Sequence, residues 1–304
     1  MKSNRLVFFL FLAVITACET VVDIDIPIDP PSLVINSTLI DDEYIKVHIS
    51  QSQHILDEER YKTVTGATVE IYENGDLLTT LPDSLEGHYI SATHKPTRGN
   101  TYEVRVTKAG FETASARVLL PLDTVDIISI KMDTIQENSN GYIQDYLAFN
   151  VEIKDNKDYN NYYSISIYKR LFSYSYDFSV TPPLVIDSAY MFIKLPDLRS
   201  NDPSLEEHQS NGSSILFNDE LFNGKTFQME VLAYIWFDPY YEGDVTYFVS
   251  VKNTSESYYL YTLSTKLQTF AGENPFAQPV MVYSNIENGF GIFGAYNTAV
   301  VKIQ

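Results

Sequence analysis

Apolar and polar residues alternate with a period of two along much of this chain, and the pattern predicts a mostly β protein. In residues 43–51 (EYIKVHISQ), Ile45, Val47 and Ile49 point to one side, and most of the residues between them are polar. Successive side chains of a strand point to opposite faces of a sheet, so this alternation is typical of a strand with one solvated face.

A β-hairpin is predicted in residues 67–81. Val69 and Ile71 alternate up to Asn74-Gly75, after which the chain returns as a second strand. Asn-Gly tolerates the positive φ angles that a tight two-residue turn requires. Because further strand patterns flank the hairpin, we expect residues 31–121 to form an Ig-like or prealbumin-like β-sandwich of about seven strands.

Pro121 marks the predicted end of this sandwich, because proline cannot donate a hydrogen bond to a strand ladder. Residues 122–304 are expected to form a second β-rich domain, and several of its strand candidates are apolar on both faces, as is typical of strands covered on both sides. These candidates are residues 124–132, 146–154, 161–170, 226–237 and 245–253.

Residues 196–225, rich in polar residues and glycine, are predicted to form a long loop or lid. Glycines in the closing strand, residues 288–304, suggest β-bulges or close backbone approach.

One segment near residues 254–271 has helical rather than strand periodicity. Asn253 and Glu256 are spaced as a capping pair at its start, and Gly272 follows its end. Five apolar residues recur at helical spacing: Tyr259, Leu260, Leu263, Leu267 and Phe270. We therefore expect a single amphipathic helix packed on the second sheet.

The composition is acidic and rich in aromatic residues. The chain has 304 residues, a formal net charge of −19 and 13% aromatic residues, enough apolar area for the two β cores that we expect. Without residues 1–17, which hold two cations and no acid, the charge becomes −19 − 2 = −21. Nucleic acid and anionic lipid surfaces attract clustered Lys and Arg, so we expect neither as a partner.

The first residues have the pattern of a targeting segment. Lys2 and Arg5 precede an apolar run, residues 6–16, that is too short to cross a bilayer as a stable helix. The stretch ITAC, residues 15–18, then resembles the site cut by lipoprotein signal peptidase. We expect residues 1–17 to be a lipoprotein signal peptide, the alternative being an ordinary secretory signal peptide.

Cys18 is the single cysteine of the chain and is the predicted lipid attachment site. More than one acyl chain is needed for durable anchoring, which lipoprotein processing supplies. The acidic tether that follows, residues 18–30, carries Glu19, Asp23 and Asp25 and resembles signals that send lipoproteins to the outer membrane and onward to the cell surface. We therefore expect a lipid-anchored protein of the outer membrane that faces the exterior.

Catalytic and metal-binding patterns are missing from the sequence. There is no G-x-S-x-G motif, and the five histidines have no metal-ligand spacing. Asp155, Asn156 and Asp158 cluster oxygen ligands but lack the glycine and final glutamate of an EF-hand loop, so a turn is favoured over a calcium site. We expect no catalytic residue, no metal and no cofactor.

Ligand contact is predicted in residues 234–244 (YIWFDPYYEGD). Trp236, Tyr240 and Tyr241 lie in a connection that contains proline, and aromatic rings on a loop bind sugars or peptide side chains by stacking. The alternative is that these rings are packed in the core.

Several stretches, in this order, resemble a family of Bacteroidetes outer-membrane lipoproteins described as domain of unknown function 4249. They include PSLVINSTL, VTGATVEIYENG, GNTYEVRVTKAGF and, most specifically, SNIENGFGIFGAY. GATVEIYENG also resembles prealbumin-like sandwich modules that act as non-catalytic spacers. Genes of the family often neighbour TonB-dependent receptors, so the resemblance implies a non-catalytic accessory to such a receptor barrel in nutrient capture or uptake.

Two other functions remain open from the sequence. One is a surface adhesion or structural lipoprotein. The other is a surface hydrolase, because two carboxylates held about 5 to 10 Å apart can suffice for glycoside hydrolysis.

Overall fold

Strands dominate the described part of the chain. A computed structural model describes residues 30–54, 57, 61–139, 141–177, 179–182, 184–208, 212–234, 245–273 and 277–303. Within them lie sixteen strands and one α-helix. The strands are β1 (Leu33–Ile40), β2 (Lys46–Gln51), β3 (Thr68–Glu73), β4 (Asp76–Leu81), β5 (Asp83–Leu85), β6 (His88–Ile90), β7 (Thr101–Thr107), β8 (Ala114–Leu119), β9 (Asp126–Ser139), β10 (Tyr142–Lys154), β11 (Tyr162–Asp177), β12 (Leu184–Lys194), β13 (Ile215–Asn218), β14 (Thr226–Tyr234), β15 (Thr246–Thr254) and β16 (Gly289–Ile303). The predicted mostly β fold with one helix is confirmed.

The largest sheet joins the two halves of the sequence. Its strands run in the order β12, β11, β15, β16, β1, β2, β6, β5, with β13 paired to β11 off this path. β1 and β16 pair in parallel, from Leu33 opposite Gly289 to Ile40 opposite Tyr296. Parallel pairing needs a long connection, which here is nearly the whole chain.

The first hydrophobic core lies between this large sheet and a four-stranded sheet of order β4, β3, β7, β8. On β7 the predicted alternation is observed, because Tyr102, Val104 and Val106 are fully buried and their neighbours are not. The predicted hairpin is also confirmed: β3 and β4 meet at Asn74 and Gly75, whose φ angles are +51° and +95°.

The second core lies between the large sheet and a three-stranded sheet of order β14, β10, β9. The prediction of a long loop or lid in residues 196–225 is wrong. That stretch contains β13 and a 3-10 turn at Pro203–His208, and it buries Leu205, Phe217 and Phe222 in the second core. The apolar positions were too few and too irregular to show a period, but they fill the space beside β11.

The helix α1 (Glu256–Glu273) confirms the element predicted near 254–271. The predicted capping pair is wrong, because Ser255 is the capping residue. Its Oγ accepts a hydrogen bond from the backbone N–H of Tyr258 at 3.2 Å. Asn253 instead donates from Nδ2 to the carbonyl oxygen of Asp123 at 2.9 Å. Among the residues that the structure describes, no helix combines the length and the apolar character needed to cross a membrane.

The predicted division at residue 121 stays a prediction. The first core is built mainly from residues before it and the second core from residues after it. However, Ile286, Phe293 and Ala295 from the end of the chain belong to the first core, and the large sheet borders both cores. From Pro31 onward, the described residues other than His54 belong to one compact unit.

Candidate functional site

The residues singled out from the sequence as site residues lie outside the described part of the chain. These are Cys18, Trp236, Tyr240 and Tyr241. Their roles in lipid attachment and ligand contact stay predictions.

A cavity of about 590 Å³ is the best candidate for a ligand site among the described residues. We call it the junction cleft, because five separate parts of the sequence meet there. They are Gly99, residues 117–122 at the end of β8, residues 159–162 at the start of β11, residues 253–257 at the start of α1, and residues 283–285. Sequence reasoning missed this site, since no local pattern connects these segments.

The lining of the junction cleft mixes leucine and tyrosine side chains with polar ones, among them Arg117 and Glu256. Leu119, Leu122 and Tyr159 are 55%, 54% and 44% exposed, which is high for side chains of this kind, and Tyr162 and Tyr283 are half-buried. Tyrosine offers both a ring face and a hydroxyl, so such a lining suits a ligand with apolar and polar faces.

Glu256 supplies negative charge at the rim of the cleft, where it is exposed at the first residue of α1. The pKa of the Tyr162 hydroxyl is raised to about 12. Burial is the larger cause, and a hydrogen bond with Glu256 is the second. Burial and then the charge of Glu256 raise the pKa of Tyr283 as well. Both hydroxyls therefore stay protonated at neutral pH and are hydrogen-bond donors.

The floor of the cleft is held by asparagine side chains that bond to backbone groups. Asn297, fully buried, donates from Nδ2 to the carbonyl oxygens of Pro121 at 2.8 Å and Asp123 at 3.0 Å. Asn285 closes two bonds with Phe293: its Nδ2 donates to the carbonyl oxygen at 2.9 Å, and its Oδ1 accepts from the N–H at 3.0 Å. These bonds hold together the segments that form the cleft.

The oxygen-rich stretch after β10 forms a turn, as predicted. Asp155 is buried, and its carboxylate accepts bonds from the Tyr163 hydroxyl at 2.5 Å and the Gly224 N–H at 2.7 Å. Asn156 accepts from the Asp158 N–H at 3.1 Å, which closes the turn. Among the described residues, no group of three or more His, Cys, Asp or Glu side chains is arranged to hold a metal ion.

Two histidines lie side by side on neighbouring strands. His48 of β2 is paired directly with His88 of β6, and their ring centroids are 4.6 Å apart. Burial, followed by the charge of His88, lowers the pKa of His48. The pair could not be found from spacing, because forty residues separate its members.

The geometry of the junction cleft supports binding by ring stacking and hydrogen bonding. Its tyrosine rings can contact the flat faces of a sugar ring or a peptide side chain, and exposed Asn160 and Glu256 offer polar groups at the same opening.

Comparison with known proteins adds a family assignment. No curated protein matches the chain in sequence. The profile of the family described as "Domain of unknown function (DUF4249)" matches residues 19–301. Because this match covers nearly the entire chain, the protein belongs to the DUF4249 family.

Proposed function

We propose that this protein is a lipid-anchored protein of the outer membrane that faces the cell exterior and assists a TonB-dependent receptor in capturing a nutrient. The observation that carries the proposal is the stretch ITAC at residues 15–18, directly after an apolar run and directly before the acidic residues of the tether. An acyl anchor at Cys18 would hold the β-rich body at the membrane, where a receptor barrel is within reach.

The junction cleft is the proposed ligand site on the described body. Its open shape and its exposed leucine and tyrosine side chains support capture of a small molecule or peptide segment without chemical conversion. Trp236, Tyr240 and Tyr241 are proposed as further ligand contacts. In this role the protein is a binding accessory rather than an enzyme.

Substitution of the lipid attachment residue tests the anchor. In cells fed an alkyne analogue of palmitate, the parent chain is expected to incorporate the label and to fractionate with the outer membrane. Cys18→Ala should abolish labelling, because no other thiol exists in the chain. It should also leave the chain uncut before residue 18. Thr16→Ser is the matched control, since that position of the signal tolerates exchange. A Cys18→Ala chain that is still labelled would contradict the proposal.

Affinity capture tests the receptor partnership. After cross-linking of whole cells, the tagged chain is expected to recover a TonB-dependent receptor barrel from solubilised membranes. Cys18→Ala, which removes the anchor, should reduce the recovery by at least about tenfold, because tethering raises the effective concentration of the two partners. Repeated capture without any receptor barrel would refute the partnership while leaving the anchor standing. Digestion of intact cells with a protease reports whether the body faces outward.

A further inference from the structure

A second cavity, of about 410 Å³, lies on the face of the large sheet that points away from the two cores. We call it the outer groove. It crosses β12, β11, β15 and β16, and its main lining residues are Tyr168, Phe192, Phe248, Lys252, Tyr296 and Val300. Residues paired directly across neighbouring strands share a face, and the pairs Tyr168–Phe248 and Lys252–Thr298 place this lining on one side of the sheet.

Aromatic rings in the outer groove are open to a ligand. Phe192 is 61% exposed, and its ring centroid lies 5.6 Å from that of Phe248. Val300, 58% exposed, extends the apolar surface. Single exposed apolar residues are normal, but these share one concave cavity, which is typical of a binding surface.

Cations surround these rings, and in the described part of the chain none of them has an acidic partner. The Lys252 ammonium lies 3.7 Å from the ring centroid of Tyr296. The Arg170 guanidinium lies 4.6 Å from the ring of Tyr190 and 5.8 Å from that of Phe248. Among the described residues, neither cation forms a salt bridge. This is unusual in a chain with 40 acidic residues and 21 Lys and Arg, in which acidic partners are plentiful.

Two further lysines strengthen the positive electrostatic potential around the outer groove. Lys194 of β12 is paired directly with Tyr168 of β11, and Lys266 of α1 donates to the carbonyl oxygen of Ser214. Neither has a carboxylate partner in the described part of the chain. Burial, and then the charge of Lys194, lower the pKa of Lys252 and that of Lys266 to about 8. Like charges that act on one another at buried positions are unfavourable unless an anion binds, and no carboxylate of the described residues pairs with these ammonium groups.

We propose that the outer groove binds an organic anion whose flat apolar body lies against Phe192 and Phe248 and whose charged group lies at Lys252. Lys194 and Arg170 add positive potential beside it, and Lys266 extends that potential to α1. Among the described residues, the groove lining contains no carboxylate to repel such a ligand. The charge of Glu43 acts on Tyr296, but that carboxylate is paired with Lys46 at 2.9 Å. This site is separate from the junction cleft and does not depend on the proposed function.

Calorimetric titration with 2-naphthalenesulfonate tests this site. The full chain, purified in a non-ionic detergent, is expected to bind about one probe molecule saturably, whereas inorganic sulfate and neutral 2-naphthol should each bind at least about tenfold more weakly. Sulfate that binds as tightly as the probe would overturn the role of the rings. An absence of saturable binding at millimolar probe would overturn the whole proposal.

Variants locate the binding in the outer groove. Lys252→Gln should weaken probe binding by at least about tenfold. Phe192→Ala should weaken it several-fold without harming the fold, because that ring is mostly exposed. Lys131→Gln, an exposed lysine on β9 in a different sheet, is the matched control and should change little. Circular dichroism checks folding of each variant. Equal affinity of the parent and Lys252→Gln would place the probe elsewhere and overturn the proposal.

The pH dependence of binding provides an independent readout. Among the described residues, Tyr168 and Tyr296 share the outer groove with Lys252, Tyr258 of α1 lies beside its ammonium group, and the charge of Lys194 acts on it. Burial raises the pKa of all three tyrosines, so they ionise only above the pH at which Lys252 and Lys266 lose their protons. These two lysines, with a pKa of about 8, lose their protons between pH 7 and 10. Affinity should therefore be full at pH 7 and fall above pH 8, by up to about tenfold per pH unit for each proton lost. Affinity that stays constant from pH 7 to 10 would contradict an ammonium contact.

Discussion

Replacement of Gly291 by alanine is expected to lower the free energy of unfolding by about 4 kcal/mol or more. Gly291 has a φ of +106°, a conformation that side chains other than glycine rarely adopt. A Cβ atom there would overlap the carbonyl oxygen of Ile35 and approach its carbonyl carbon to 2.9 Å. Ile35 is the parallel partner of Gly291 across β1 and β16, so its backbone cannot move away without breaking the pairing that joins the two ends of the chain.

Thermal and denaturant unfolding of the two glycine variants measure this effect. Gly291→Ala should lower the unfolding midpoint by roughly 10 °C. Gly272→Ala is the control, because Gly272 lies in the last turn of α1 with no atom within 4 Å of an added Cβ and no positive φ. That change should be neutral or stabilise slightly, since alanine favours a helix more than glycine does. Equal stability of the two variants would mean that β1 and β16 do not approach as closely as described.

Gly291 also shows which parts of the fold could be predicted from the sequence. The closing glycines predict β-bulges or close backbone approach, and Gly289 and Gly291 do approach the carbonyl groups of Leu33 and Ile35. The strand that they approach could not be predicted. A hairpin is specified by its own turn, but the pairing of β1 with β16 depends on residues about 250 positions apart.

Elements specified by local chemistry were predicted well. Asn74-Gly75 identified the first hairpin and the apolar spacing identified α1, because turn conformation and helical period are properties of neighbouring residues. β12 was missed, since its apolar side chains point into solvent rather than into a core: Leu184, Ile186, Tyr190 and Phe192 are each at least 60% exposed. β13 was missed because it is only four residues long.

The candidate sites were harder to predict than the strands. The junction cleft takes its residues from five segments, and the outer groove takes its lining from β11, β12, β15 and β16. In the sequence, Lys252 is one polar residue in an alternating strand, like many others. Only the sheet order places it beside Tyr296 and near Lys194.

Replacement of Asp155 by alanine is expected to lower the free energy of unfolding by about 3 kcal/mol. The carboxylate is buried and joins three parts of the second half of the chain: the end of β10, Tyr163 on β11 and Gly224 before β14. Its removal leaves the Tyr163 hydroxyl and the Gly224 N–H without their acceptor. Burial, and then the bond to Asp155, raise the pKa of Tyr163, so its hydroxyl stays a donor that needs an acceptor across the whole neutral range.

A set of matched variants separates this role from a metal site. Asp158→Ala, an exposed acid on the same turn, should be nearly neutral. Tyr163→Phe should cost less than Asp155→Ala, because it removes the buried donor along with its bond. The double variant should cost less than the sum of the two single variants, since both remove the same hydrogen bond.

Unfolding of the parent should be unchanged by calcium or by a chelator, because the carboxylate oxygens of Asp155 already accept bonds from Tyr163 and Gly224. Calcium-dependent stability that Asp155→Ala abolishes would show instead that the turn holds a metal ion. Strict additivity of the Asp155→Ala and Tyr163→Phe effects would show that the Asp155–Tyr163 bond does not join β10 to β11.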